Sequence, residues 1–552
     1  MSEIFYNGIF YTGEESAADS VSSNNDSIEA MAIEDGIIVK TGTKAELENW
    51  ADETAEWHDL KGRFIVPGFN DSHMHILNYG RTLRLANLAE ATDSLQHVIE
   101  ELQNYKNTNS LSPEAWVVGW GWNHDYFQDE KRFPDRNDLD KVSKNQPVVA
   151  IRACGHIASA NSAALKIAGV LKGVAQPEGG CFDVNEDGEP TGVFREYGVD
   201  LISSFIPPPD KNEIKACLLT AMKKLNSYGI TSAQSDDLAA FSGVPYEMVL
   251  EAYQELEAEG KITVKVYEQC LLSNMDTLKN FVENGYHTGI GSDFFRIGPL
   301  KILSDGSLGA RTAYLSQPYE DDKIHPDNRG IAIYNEKELH QLISFGHCHG
   351  MQVAVHAIGD AAIEMAVSGI RKAQEEYPER KLRHGIVHCQ ITTPKLLDDF
   401  KELGLHAYIQ SVFLDYDNHI VESRIGAERA LHTYQFKTLL DMGLSVSNGS
   451  DCPVEIPDVL RGIQCAVTRT CLDGSKTFLE DQALTVEEAL KTYTIMGARV
   501  SSEEEKKGLL VQGMAADFTV LDRDIRCCPA NEIKDAAVCE TYVNGKVVFV
   551  QP

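Results

Sequence analysis

The sequence predicts an α/β protein: a (β/α)8 barrel of the TIM type, a small β-sandwich built from both chain ends, and a large insertion after the first barrel strand. Three observations carry this. The centre of the 552-residue chain repeats helix, glycine, strand. Both ends read as short strands with hairpin-type turns, and neither end makes a stable sheet alone. A plain barrel needs about 250 residues, and the central region is far longer, with the excess at roughly 85–210. The expected division is 1–62 and 501–552 for the sandwich and 63–500 for the barrel with its insertion.

The N-terminal strands flank Asn7-Gly8 and Asp35-Gly36, both hairpin turn pairs. A Ser/Asn/Asp/Glu-rich loop lies between them at 14–28. At the far end, residues 516–521 and 539–549 are strands again, with Asn544-Gly545 as a turn. The barrel rhythm begins with a strand at 63–69. Helices at 212–228, 245–259, 336–349, 393–403 and 428–442 each end at a glycine and lead into a strand. Glycine after the last turn is the expected C-cap, and such alternation means parallel strands joined by crossover helices. With strands at 296–303 and 384–387 the count reaches eight, and a doubly wound sheet is the alternative. The insertion holds Trp116, Trp120 and Trp122, Gly155-His156 and Gly192-Val193-Phe194-Arg195-Glu196. A large loop of this kind is a natural lid.

Composition narrows the function. There are 50 Lys+Arg against 83 Asp+Glu, a net charge of −33. Nucleic acid and anionic membranes both require a basic face, so neither is expected as a partner. No signal-peptide pattern and no long apolar run occurs, and a cytoplasmic protein is expected. The 12 cysteines are scattered, without a CxxC pair, and read as reduced thiols.

Chemistry in such a barrel gathers at the C-terminal ends of the strands. His73 and His75 follow the first strand. Residues two apart on a strand share a face, so both imidazoles point the same way, as two ligands of one metal ion would. Lys301 stands inside the apolar run Leu300–Leu303. His356, His388 and Asp451 each fall where a strand stops. Each has a plainer reading: a hydrogen-bonded histidine, a turn-capping aspartate, a snorkelling lysine. The joint placement on strand ends of one barrel is what those readings leave unexplained.

Val66-Pro67-Gly68-Phe69-Asn70-Asp71-Ser72-His73-Met74-His75 resembles the opening motif of the amidohydrolase superfamily. Residues 301–313, Gly119-Trp120-Gly121-Trp122, Gly155-His156 and Ala516-Asp517-Phe518 resemble its branch of N-substituted formamide deformylase-like and exoenzyme-regulator-like proteins. The similarity runs from about residue 4 to 549. The resemblance implies a metal-dependent hydrolase of an amide-type C–N bond using one or two divalent ions, zinc by expectation. It implies that His73, His75 and Asp451 bind one metal and His356 and His388 a second, with Lys301 bridging as a carbamate. Glu196 is a rival acidic ligand or a substrate contact. Asp451 is expected to move the proton and His156 to bond the substrate. Trp120, Trp122, Tyr314 and Phe413 are expected to wall the pocket. The partner expected is a small-molecule substrate, with a homodimer left open. The alternatives are a deaminase, lactonase or carbamate hydrolase, or a non-catalytic regulatory protein.

Overall fold

The computed structural model describes the chain except residues 1, 15–27, 92, 110, 154, 155, 178, 179, 197 and 273. The loop expected at 14–28 lies largely outside the described residues, as does Gly155. The chain divides into two compact units. One comprises Met1–Ile76, Ala221–Ala240 and Pro245–Pro552; the other comprises Leu77–Thr220 and Phe241–Val244.

The first unit holds the eight-stranded sheet: β1 (Phe69–Met74), β2 (Ile230–Ser235), β3 (Lys265–Leu271), β4 (Phe295–Leu303), β5 (Val353–Ala357), β6 (Gly385–His388), β7 (His406–Ile409) and β8 (Ser445–Asn448). Neighbours pair in parallel in chain order. The residues just after β8 meet β1 and nearly close the barrel. There the Asp451 N–H donates to His73 O and the His75 N–H to Cys452 O, both at 2.8 Å. The barrel is therefore the expected (β/α)8 type.

The first barrel strand is not where the apolar run suggested. Phe64–Pro67 belongs to the sandwich, antiparallel to Phe518–Leu521, and the barrel strand starts at Phe69. β1 is buried along its whole length although Asn70, Asp71, Ser72 and His73 are polar, so it carries no apolar signature. Gly68 lets the chain cross between the two sheets, since a Cβ there would sit 2.2 Å from Thr231 Oγ1. The helix expected at 428–442 is also two: Val421–Ala430 and Phe436–Asp441. The break holds Tyr434, at φ 48°, which buries its ring and donates its N–H to Gln390 O.

The sandwich joins both chain ends. One sheet runs Ile37–Gly42, Ala30–Glu34, Glu3–Tyr6, Glu56–Asp59; the other runs Ile9–Phe10, Phe64–Pro67, Phe518–Leu521, Val538–Val543, Lys546–Val550. Phe5 packs edge-on against Phe518 and Tyr542, with centroids 5.1 and 5.2 Å away, so one core needs both ends. Asp35-Gly36 and Asn544-Gly545 make the expected hairpins. Asn7-Gly8 does not: Glu3–Tyr6 and Ile9–Phe10 join different sheets.

The second unit carries a six-stranded mixed sheet in the order Gly180–Val184, Pro190–Glu196, Ile157–Ala160, Val148–Arg152, Val117–Trp122, Ala86–Asn87. Helix Leu95–Thr108 places Leu95, Val98, Ile99 and Leu102 in one core with Trp122 and Phe127. The insertion is thus a folded body with its own core. Among the described residues no helix is long and apolar enough to cross a membrane, and the described cysteines are free thiols.

Candidate metal centre

The C-terminal ends of seven barrel strands converge on one buried cluster. His73 and His75 come from the end of β1, Asp236 from just after β2, and Gln269 from β3. Lys301 comes from β4, His356 from β5, His388 from β6 and Asp451 from just after β8. One ligand atom each from His73, His75 and Asp451 lies within 4.8 Å of the other two. The Asp451 Oδ1 is 3.0 Å from His75 Nε2 and 3.3 Å from His73 Nε2. Lys301 Nζ stands 3.0 Å from His73 Nε2. The His388 ring is 5.6 Å from that of His73 and 4.5 Å from that of His356, centroid to centroid. All six residues read from the sequence as ligands are therefore brought together.

The ring nitrogens show what the cluster fits. The Nδ1 of His73 bonds Gln269 Oε1 at 2.8 Å, that of His75 bonds Asp236 Oδ1 at 2.6 Å, and that of His388 bonds Gln410 Oε1 at 2.8 Å. Acceptors at Nδ1 put the proton there and leave the Nε2 lone pair free to bind, the usual support of a metal-bound histidine. His356 is held differently, with Nε2 3.2 Å from Gly306 O and 3.3 Å from Asp305 Oδ1.

The electrostatics agree at His73, His388 and Asp451, and His75 is the exception. Burial, then the nearby Lys301 charge, pushes His73 down to about 4. Burial and His356 hold His388 well below its ordinary value. Burial acts to raise Asp451, but hydrogen bonds from His73 and His75 outweigh it and keep the carboxylate well below its usual range. Neutral imidazoles beside a carboxylate are the protonation states a divalent cation requires. Burial would lower His75, yet Asp236 and then Asp451 raise it well above normal. Burial lowers Lys301 against the opposing pull of Asp236 and Asp451.

Backbone geometry marks the same place. His388, Cys389 and Asp451 adopt φ of 75°, 49° and 57°, a left-handed region that costs a non-glycine residue energy and recurs at functional sites. Gly449 is needed for the β8–β1 approach, because a Cβ there would lie 2.6 Å from His73 N. Asp71 braces that approach: it accepts the Ser450 hydroxyl at 2.5 Å, the Ser450 N–H at 3.1 Å and the His73 N–H at 3.2 Å.

The other expected site residues divide. Phe413 stacks on His388, with centroids 6.0 Å apart. Tyr314 donates its N–H to Asp305 and lines a surface groove with Tyr334, Met365 and Arg371, which contains none of the clustered ligands. The remaining four lie in the second unit. His156 is exposed and pairs with Glu196 at 3.0 Å. Glu196 is half of an exposed pair in that unit. Trp120 is partly exposed, whereas Trp122 is fully enclosed in that unit's core. Packing, not a pocket wall, is the role of the Trp122 side chain.

Sequence reasoning missed Asp71, Asp236, Gln269 and Gln410. Asp71 and Asp236 were detectable in principle, as a polar residue in a fully buried strand and the start of Asp236-Asp237 at a strand end. Nothing distinguished the two glutamines from surface ones.

A sequence profile of the amidohydrolase family matches residues 56–549. The Bacillus subtilis (strain 168) protein YtcJ is 31% identical over 555 residues, covering 100% of this chain and 99% of its own. N-substituted formamide deformylase of Arthrobacter pascens is 27% identical over 556 residues, covering 95% of this chain and 96% of its own. Among solved structures, an uncharacterized metal-dependent hydrolase from Pyrococcus furiosus matches with a TM-score of 0.77 at 28% identity, over 95% of this chain and 100% of that one. A buried His-His-Asp cluster at the barrel mouth and a profile match over nearly the whole length lead to one conclusion: the chain belongs to the amidohydrolase family and is a hydrolase.

Proposed function

We propose that the protein hydrolyses an amide-type C–N bond of a small N-acyl or N-formyl compound, using one or two divalent ions, zinc first among them. The observation that carries the metal is the His73, His75 and Asp451 set within 4.8 Å, each histidine oriented through Nδ1 by a buried acceptor. The name of the Arthrobacter relative supports the N-formyl choice.

His73, His75 and Asp451 hold the first ion, and His356 and His388 the second where two are bound. A divalent ion there supplies Lewis acidity, lowering the pKa of water and polarising the scissile carbonyl. Asp451 takes a proton from the attacking water and passes it to the leaving nitrogen. Its carboxylate is held ionised and 3.0 Å from His75, a position suited to accept that proton. Phe413, stacked on His388, gives the substrate an apolar surface.

Lys301 is carboxylated in this reading. Its amine is 1% exposed, and burial favours the neutral form that reacts with CO2. The ammonium first gives up one proton; the neutral amine nitrogen then bonds to the carbon of CO2, one C=O π bond opens onto oxygen and a second proton leaves, so a cation that would repel the metal becomes an anionic oxygen donor.

The test combines metal analysis of the purified protein with a hydrolysis panel. The panel pairs N-formyl and N-acyl amides with lactones, carbamates and amino-heterocycles. Stoichiometric zinc with turnover of the amides is the expected result; turnover of only lactones or heterocycles would reject the amide assignment.

A further inference from the structure

The three oriented histidines are not held alike. His73 and His388 each rest on a neutral amide, Gln269 and Gln410. His75 alone rests on a carboxylate, Asp236, at 2.6 Å. An amide oxygen is enough to orient an imidazole, so the charge at this one position needs its own reason.

The second oxygen of Asp236 supplies it. Asp236 is 4% exposed, and its N–H is fixed to Met74 O at 3.1 Å, between the two histidines of β1. With Oδ1 on His75, Oδ2 faces Lys301 Nζ at 3.6 Å. Oδ2 is buried and has no hydrogen-bond partner among the described residues. A buried carboxylate oxygen left this way is costly unless it meets a donor or a positive charge.

We propose that Asp236 is a positioning residue that ties the two sides of the metal centre together, one oxygen fixing the His75 ring and the other holding the Lys301 nitrogen. The lysine half rests on the carboxylated reading of Lys301. Carboxylation forms the N–C bond and releases one proton, so the carbamate nitrogen keeps one N–H. That N–H is the donor for Oδ2. With the N–H held on the Asp236 side, the carboxyl group on the same nitrogen is left to the side of His73, whose Nε2 is 3.0 Å from Nζ. The carboxylate also raises the basicity of His75 as a ligand, as carboxylate–histidine pairs do at metal centres.

The test compares the intact protein with Asp236→Asn and Asp236→Glu. Asparagine keeps the amide oxygen for His75 but turns an NH2 group toward Lys301, donor against donor. Three quantities are read: zinc retained against a graded chelator, the 13C carbamate resonance after equilibration with 13C-bicarbonate, and the melting curve of metal-stripped protein. Asp236→Asn is expected to lower zinc affinity ~10–100-fold and to lose the carbamate resonance while the stripped protein melts as before. Asp236→Glu, which keeps the charge, is expected to retain more of both. Unchanged zinc affinity and carbamate in Asp236→Asn would overturn the proposal. If Asp236→Asn does not fold, Asp236→Glu decides, and a folded glutamate variant that has lost both zinc and carbamate relative to the intact protein rejects charge as the cause. A wild type with zinc but no carbamate resonance removes the Lys301 reading and the lysine half with it; the zinc titration then judges the His75 half alone.

Discussion

Two sets of buried histidines stand in the same barrel and do opposite things. His406 has both ring nitrogens engaged, by Ser445 Oγ at 2.8 Å and Ser447 Oγ at 2.6 Å. His384 accepts the Val353 N–H at one nitrogen and meets His347 at the other. At the candidate metal centre, His73 and His75 spend one nitrogen on a protein acceptor and turn the other to Asp451. Burial does not separate the sets, since His384, His406 and His73 are all at most 2% exposed. The partner of the second nitrogen does. The core histidines meet serine hydroxyls, a backbone N–H or another imidazole; the candidate ligands turn their second nitrogen to one shared carboxylate, Asp451.

The largest expected effect breaks the ligand set. His73→Ala with His75→Ala should remove nearly all bound metal and all hydrolysis while the metal-stripped protein stays folded. Full metal occupancy in this double variant would refute the assignment. Next is Lys301→Ala. Removing one partner from a buried charged set costs ~3–5 kcal/mol, which at about 1.4 kcal/mol per tenfold is ~10²–10⁴ in metal affinity and turnover. A short carboxylic acid in solution should restore part of the activity, and no rescue at any concentration would count against the carbamate.

The core set makes the contrasting prediction. Burial lowers His384 and His406 each to about 3, below the unfolded value near 6.5. Below that pH the unfolded chain takes protons that the folded chain refuses. The stability is therefore complete above pH 6.5 and lost as pH falls toward 3. For His406 the slope is about 1.4 kcal/mol per pH unit. His406→Gln should show a shallower loss of stability than wild type between pH 6.5 and 4, with metal content untouched. Parallel curves in chemical denaturation at several pH values would contradict this. The smallest effect is expected outside the barrel: His156→Ala, at an exposed pair with Glu196, should shift substrate preference and leave zinc stoichiometry unchanged. Lost zinc in this variant would make His156 part of the centre.

What the chain reveals without coordinates follows from local pattern. The helix–glycine–strand rhythm, the His-x-His spacing and the turn pairs at Asp35-Gly36 and Asn544-Gly545 are short-range signals, each fixed by backbone geometry within a few residues. They pointed to a barrel, with a doubly wound sheet as the alternative, and to the sandwich; the family resemblance added the reading of the six strand-end residues as one ligand set. Partnership across the chain was not local. Phe64–Pro67 looks like a barrel strand, but Phe518–Leu521, more than 450 residues later, takes it into the sandwich. Asn7-Gly8 looks like a hairpin and instead divides two sheets.

The same distinction runs through the metal centre. The sequence alone singled out His356, His388 and Asp451 by the ends of apolar strands and His73 with His75 by their spacing and the family motif, while the strand that carries His73 has no apolar pattern of its own. Only the tertiary structure decided that Asp236, Gln269 and Gln410 orient those imidazoles, that Asp71 clamps Ser450 beside His73, and that His384 and His406 are core residues. The physical reason is that a hydrogen bond depends on distances of about 3 Å and on direction, and partners 161 and 196 residues apart in the chain acquire those only when the barrel closes.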